Sequence, residues 1–212
     1  MHITDIHYKG NTRYLRHVVN RINVLKPDYV CFTGDIVENT KFLDVALSIL
    51  SGINAPVYGC PGNHDYWSHA PFDRIADTFR ATGGDWLVDG STVLTNKGIT
   101  FTGYTDWRKH TNSVPSAASN AGSTITICLT HYPNQIHQKP TNAFDLILAG
   151  HSHGGQIRLP FLGAPVLPFG VGEYDTGLFE TPAGPLYVNP GIGTFFLPAR
   201  LFCRPEITVI EL

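Results

Sequence analysis

Three times before residue 85 the chain repeats one scheme: a short apolar stretch, a polar turn, then an amphipathic helix. The first stretch is Met1-His2-Ile3-Thr4, followed at once by Asp5-Ile6-His7. Residues 14–25 then place Leu15, Val18, Val19, Ile22 and Leu25 at helical spacing. Pro27 ends that helix, because its ring disfavours the helical conformation of the residue before it. Tyr29-Val30-Cys31-Phe32 leads into Thr33-Gly34-Asp35. A second helix carries Phe42, Leu43, Ala46, Leu47 and Leu50 on one face and stops at Gly52. Residues 56–60 lead into Pro61-Gly62-Asn63-His64-Asp65, and residues 71–82 make a further helix closed by Gly83-Gly84. This alternation predicts parallel β-α-β units. In such sheets the chemistry gathers at the carboxyl ends of the strands, so Asp5, His7, Asp35, Asn63 and His64 are expected on one edge.

The second half has a different character. Residues 86–94 and 99–104, joined by Asn96-Lys97-Gly98, read as an antiparallel hairpin. The Ser-, Ala- and Asn-rich stretch 111–122 reads as a surface loop, since the core pattern resumes beyond it. Ile125-Thr126-Ile127-Cys128-Leu129 is a strand with His131 just past its end. Leu146-Ile147-Leu148-Ala149 is a buried strand that runs into Gly150-His151-Ser152-His153-Gly154-Gly155. Residues 159–172 are rich in Pro and Gly, and residues 178–179, 186–188 and 206–212 are expected as strands of a second sheet.

At 212 residues with 42% hydrophobic and 15% charged residues, the chain can bury one sizeable core, and one domain spanning 1–212 is expected. A net charge of -2 gives no electrostatic case for nucleic acid or an anionic membrane as the main partner. Neither a signal peptide nor a membrane-spanning run is evident. Cys31, Cys60, Cys128 and Cys203 are widely spaced and form no C-x-x-C, which predicts buried thiols in a reducing, cytoplasmic setting.

Five strand ends thus deliver Asp5, His7, Asp35, Asn63, His131, His151 and His153. Taken singly, Asp5 or Asp35 could cap a helix, Asn63 could serve a turn, and His131 could be an ordinary loop histidine. Independent caps and turns have no reason to place a metal donor after strand upon strand. Two carboxylates, an amide oxygen and four imidazoles exceed the four ligands of a structural zinc site. They suit two divalent ions sharing a carboxylate. Two such ions bring four positive charges and the aspartates remove two; a bridging hydroxide and a phosphodiester anion would bring the site to neutrality.

In their order along the chain, Asp5-x-His7, Gly34-Asp35, Gly62-Asn63-His64-Asp65, His131 and Gly150-His151-x-His153 resemble the five blocks of the calcineurin-like metallophosphoesterase superfamily. The longer string from Gly150 to Pro160, with Gly191-Ile192-Gly193 and Pro205-Glu206-Ile207-Thr208, resembles a branch of small bacterial phosphoesterases. Many of that branch are tethered to membranes by an N-terminal segment, and some act on nucleotide-linked lipid pyrophosphates. The resemblance implies an α/β fold, a four-layer αββα sandwich of two mixed sheets with a dinuclear metal site at the strand ends. It implies that Asp5, His7, Asp35 and His153 hold one ion and that Asp35, Asn63, His131 and His151 hold the other. His64 would contact phosphate and protonate the leaving oxygen, and Asp65 would orient His64. Manganese is the first choice of metal, with iron, zinc, cobalt, nickel or magnesium as alternatives.

Against the branch, the first strand has only four residues before Asp5, so an N-terminal segment is expected to be missing; peripheral membrane association would follow if an anchor was lost. Val188-Asn189-Pro190 stands where a basic residue is expected. With no separate cap domain, substrate choice falls to residues 67–71, 107–122 and 160–175, with Tyr66, Trp67, Phe161 and Phe169 as candidates for an apolar wall. The expected activity is hydrolysis of phosphate esters, phosphodiesters first. The alternatives are a pyrophosphohydrolase of a nucleotide-linked lipid, of the UDP-diacylglucosamine type, a phosphomonoesterase, or an inactive scaffold, which would be expected to have lost ligands. The partner is then a phosphorylated small molecule or a nucleotide- or lipid-linked substrate.

Overall fold

The computed structural model describes residues 1–105 and 125–212, so the loop expected over 111–122 lies outside the described residues. The first half forms His2–Ile3 (β1), Thr12–Leu25 (α1), Val30–Phe32 (β2), Leu43–Leu50 (α2), Val57–Gly59 (β3), Asn63–Trp67 (α3), Phe72–Ala81 (α4) and Asp85–Trp86 (β4). These strands build one sheet in the order β1-β2-β3-β4, parallel at each pairing. Helix α1 starts where the Asn11 side chain accepts the Tyr14 N–H, and it ends at Lys26 in the left-handed region before Pro27. It buries Leu15, Val18, Val19 and Ile22 against the sheet; complete burial of an aliphatic side chain such as Leu15 or Ile22 stabilises by about 1.5–3 kcal/mol. Helices α2 and α4 add Leu43, Ala46, Leu47, Ile75 and Phe79 to the same layer.

The second sheet consists of Gly90–Leu94 (β5), Ile99–Tyr104 (β6), Ile125–Thr130 (β7), Leu146–Ala149 (β8), Gly177–Phe179 (β9) and Leu186–Val188 (β10), in the order β5-β6-β7-β8-β10-β9. Its centre is parallel and both edges are antiparallel, so the sheet is mixed. The sheets face each other through Cys31, Tyr58 and Cys60 on one side and Phe101, Ile127, Leu129 and Leu148 on the other. The Tyr58 and Phe101 rings stack at 4.2 Å. The fourth layer is thin. Among the described residues it is a 3-10 helix, Pro133–Gln138, with Phe144 and Tyr174 packed over the second sheet. All four cysteines are buried and free.

Two expected strands are corrected. The run 86–94 splits, with Trp86 ending β4 in the first sheet while residues 90–94 form β5 in the second. The crossing is made at Asp89, whose backbone is left-handed (φ 48) and whose carboxylate is tied to the Thr105 N–H and hydroxyl. Residues 206–212 do not join the second sheet; Thr208 makes an antiparallel bridge to His2 at the edge of the first.

Candidate metal centre

Strand ends alone do not aim these side chains. Asp5, His7, Asp35, His151 and His153 each adopt positive φ, at 50, 42, 63, 66 and 50°. A non-glycine residue held there costs on the order of 1 kcal/mol or more, and five such residues in one place mark a backbone bent to serve a site. Glycines make the room. A Cβ on Gly62 would strike the Asp35 carboxylate, and one on Gly150 would strike Thr4 and the Asp5 carboxylate.

The seven donors expected from the sequence come together, and all are buried. In one set, His7 Nε2 lies 3.0 Å from His153 Nε2 and 3.6 Å from Asp5 Oδ1, and His153 Nε2 lies 3.3 Å from that same oxygen. In the other, His131 Nε2 lies 3.0 Å from Asn63 Oδ1 and 3.1 Å from His151 Nδ1. Asp35 Oδ2 faces both sets, 3.4 Å from His7 Nε2 and 3.3 Å from His131 Nε2. Ligands about 2.1 Å from a first-row cation, at angles between square and tetrahedral, stand roughly 3.0–3.4 Å apart. The observed spacings fall in or close to that range.

In the second set the outer ring nitrogens fix which nitrogen faces inward. Thr33 O accepts from His131 Nδ1 at 2.6 Å and Phe169 O accepts from His151 Nε2 at 2.8 Å, leaving one lone pair of each ring toward its neighbour. Asp5 Oδ2 accepts from the Thr4 hydroxyl and the His151 N–H, while Asp5 Oδ1 is buried with no hydrogen-bond donor. Two imidazole nitrogens 3.0 Å apart repel unless a proton or a cation lies between them. The protonation preferences agree. Burial depresses all four rings, but Asp5, Glu38 and Asp35 hold His7 at about 10, and Asp35 holds His131 at about 9. Burial carries His153 down to about 3 and, with the His131 charge, His151 down to about 4. The surrounding carboxylates thus favour a positive charge at each pair, which a divalent ion would supply. Burial opposes ionisation of Asp5 and Asp35, yet the adjacent imidazoles keep both carboxyls well below the usual range.

His64 lies outside the two expected donor sets but clusters with His7 and Glu38, its ring centre 4.8 Å from that of His7. Its orienting partner is not Asp65. The Asp65 carboxylate accepts the backbone N–H groups of Gly62, Asp35 and Ile36, so it fixes the two loops that carry Asn63 and Asp35. Burial and the Asp35 charge raise Asp65 to about 6. The group that meets His64 is Glu38, Oε2 to Nδ1 at 3.1 Å, while Oε1 lies 2.5 Å from His7 Nδ1. Burial works against the Glu38 anion, but His64 and His7 hold it ionised far into acid. Sequence reading missed Glu38, although its spacing of three from Asp35 was the available signal.

The apolar wall also differs from expectation. Trp67 and Phe195 lie beside His64, with ring centres at 4.8 and 4.9 Å, whereas Tyr66 turns to Phe72 and Phe161 is fully exposed. Phe169 contributes its carbonyl to His151. Where a basic residue was expected, Asn189 bonds Gly191 N, Thr208 and His2 O. Arg200 braces the carbonyls of His153, Pro190 and Gly193 from behind.

A family model described as calcineurin-like phosphoesterase matches residues 1–155. Among similar sequences, the uncharacterized metallophosphoesterase YkuE of Bacillus subtilis is 30% identical, covering 93% of this chain and 72% of the relative. Phosphodiesterase YaeI of Escherichia coli is 32% identical over 88% of this chain and 71% of its own. UDP-2,3-diacylglucosamine pyrophosphatase LpxG of Chlamydia muridarum is 24% identical over 99% of this chain and 82% of its own. The fold is shared with the crystal structure of TT1561 of Thermus thermophilus, at a TM-score of 0.54 and 12% identity over 90% of this chain and 88% of that one.

Proposed function

The chain belongs to the calcineurin-like phosphoesterase family, a family of metal-dependent hydrolases, and within it we propose a two-metal phosphodiesterase. The observation that carries the proposal is the position of Asp35 Oδ2, 3.4 Å from His7 Nε2 and 3.3 Å from His131 Nε2. One ion would be held by Asp5, His7, Asp35 and His153, the other by Asp35, Asn63, His131 and His151. Two divalent ions bound there would polarise the phosphoryl oxygens and lower the pKa of a water toward neutrality. The carboxylates keep their charge within the imidazole cluster, and the carbonyls of Thr33 and Phe169 fix the tautomers of His131 and His151. With Glu38 on Nδ1, His64 exchanges its other proton at Nε2, as a general acid for the departing oxygen. Asp65 holds the Asn63 and Asp35 loops in register through three backbone N–H groups.

A diester is favoured over a monoester by the resemblance to YaeI, which is named a phosphodiesterase. Exposed apolar loops beside the centre, together with the resemblance to LpxG, support a second reading, a pyrophosphate ester of a nucleotide-linked lipid. Manganese is proposed for both ions, with iron, zinc, cobalt, nickel or magnesium as alternatives, since imidazole and oxygen donors without thiolate accept each of them. The four buried free thiols favour a reducing, cytoplasmic setting, and among the described residues no helix is long and apolar enough to cross a membrane. Hydrolysis of bis-p-nitrophenyl phosphate and p-nitrophenyl phosphate, each with Mn²⁺ and with EDTA, tests the proposal. Faster turnover of the diester, abolished by EDTA, is expected. Turnover resistant to EDTA would overturn the metal mechanism, and preference for the monoester would overturn the substrate class.

A further inference from the structure

Two aromatic rings from distant parts of the chain flank His64. Trp67 follows it in helix α3, with a ring centre 4.8 Å from that of His64 and a ring plane at 61°. Phe195 meets the same imidazole at 4.9 Å and 68°. His64 is 8% exposed, whereas Trp67 and Phe195 are 54% and 39% exposed, so the rings stand outward of the imidazole. Both are held in place. Trp67 is carried by the helix that Asp65 ties to Gly62, Asp35 and Ile36. The Gln156 side chain accepts the Phe195 N–H, and Lys9 Nζ donates to Phe195 O at 2.8 Å and to Thr194 O at 3.1 Å. The Phe195 ring also lies 5.7 Å from His7 and 6.2 Å from His153, at the edge of the first donor set. Neither ring can ligate a metal or exchange a proton, so the chemistry proposed above makes no use of them.

We propose that Trp67 and Phe195 select the leaving group: the fragment whose oxygen takes the His64 proton carries a flat aromatic ring, an aryl group or a nucleobase, that packs against both side chains. The inference rests on the phosphodiesterase reading, in which Glu38 occupies Nδ1 of His64 and Nε2 gives up the proton. An oxygen accepting from Nε2 lies about 2.8 Å from it. The atoms bonded to that oxygen then come within reach of rings centred 4.8 and 4.9 Å from the imidazole. The surroundings favour a flat ring over a saturated chain. The walls are aromatic, but the floor between them is polar, made by His64 and Glu38 with Lys9 Nζ 3.9 Å from the carboxylate. A saturated chain would desolvate those groups without pairing them. An aromatic ring gives its faces to the walls and its positive edge, or the N–H groups of a base, to the carboxylate side.

The test is kcat/KM with Mn²⁺ on methyl phenyl phosphate and methyl hexafluoroisopropyl phosphate. Both are singly charged diesters with leaving groups of comparable acidity, so both need His64 alike. The wild type should favour the phenyl ester. Trp67→Leu and Phe195→Leu should each lower the phenyl-to-fluoroalkyl ratio by roughly fivefold, the worth of one aromatic pair, and Trp67→Phe should keep most of it. Phe196→Leu, at the next position and 84% exposed in the wild type, should leave the ratio as it was. Dithymidine monophosphate, which releases a nucleoside from either side, separates the two sources of the ring. Its turnover should fall with the phenyl ester if the ring is a nucleobase, and a fall confined to the phenyl ester assigns an aryl group. A merely structural role would slow both methyl esters equally, and an unchanged ratio would overturn the proposal, as would a wild type that prefers the fluoroalkyl ester. Either of those results leaves the phosphodiesterase reading standing. Absence of metal-dependent turnover on every ester would overturn that reading and this inference together.

Discussion

The Glu38 carboxylate stands 3.1 Å from Nδ1 of His64 through one oxygen, and its other oxygen lies 2.5 Å from His7 Nδ1. One anion therefore faces both a ring at the reacting end and a ring in the proposed metal set. Glu38→Gln keeps the shape and removes the charge. Outer partners of metal ligands are typically worth 10- to 100-fold in metal affinity or activity. The variant should need about that much more Mn²⁺ for half-maximal activity and should also turn over more slowly. Mn²⁺ titration of both proteins checks this; superimposable curves would remove Glu38 from both roles.

His64 should separate from the donors by its dependence on the leaving group. A positioned general acid contributes about 10²–10⁴-fold, or roughly 3–5 kcal/mol of barrier. His64→Ala is expected to retain its metals and lose about that factor in kcat on alkyl diesters. The loss on p-nitrophenyl esters, whose leaving group needs little protonation, should be smaller. Equal losses on both substrates, or loss of bound metal, would give His64 a different task.

Much of this arrangement was legible in the chain because its signals were local. Helical spacing at Leu15, Val18, Val19 and Ile22 and the alternation of strand with helix sufficed for the first sheet, and each donor follows a strand directly. What escaped depends on contacts between distant segments. Asp65 sits next to His64 in sequence, yet its carboxylate is consumed by backbone N–H groups on the neighbouring loop, and Glu38 fills the place it leaves. The split between Trp86 and Gly90 rests on one left-handed residue, Asp89, held from Thr105. Phe195 reaches His64 from the far end of the chain, so no local pattern marks it.

His2 makes stability depend on acid. Its Nε2 lies 2.9 Å from the Thr33 hydroxyl, its Nδ1 is buried without a partner, and burial lowers its pKa from 6.5 to about 3. Below about 6.5 the unfolded chain takes up a proton that the folded chain refuses until about 3. Stability should therefore fall as pH drops through that window, by up to about 1.4 kcal/mol per pH unit from this group. His2→Asn removes the titration. Urea unfolding of both proteins in EDTA at pH 5 and 7 should show the wild-type advantage shrinking at the lower pH. Parallel losses would exclude His2 as a contributor.

Metal removal should cost stability, because the ions bind the folded donor sets and have little affinity for the unfolded chain. At a hundredfold excess over Kd, one bound ion contributes about 2.7 kcal/mol. Thermal unfolding with Mn²⁺ and with EDTA should therefore differ by at least several degrees in Tm. Identical Tm values would mean that the imidazole and carboxylate cluster is satisfied without ions.

Asp35 decides the central claim, because one of its oxygens faces both donor sets. Asp35→Asn preserves the volume and can still accept the His64 backbone N–H, now made to Oδ1 at 2.8 Å, so the fold should survive. The measurement is metal content per chain by elemental analysis after loading with Mn²⁺ and removal of excess, on wild type and variant together. Two ions in the wild type and loss of both in the variant, with turnover abolished, is the expected result. Two ions and full turnover in Asp35→Asn would contradict a shared carboxylate at this centre.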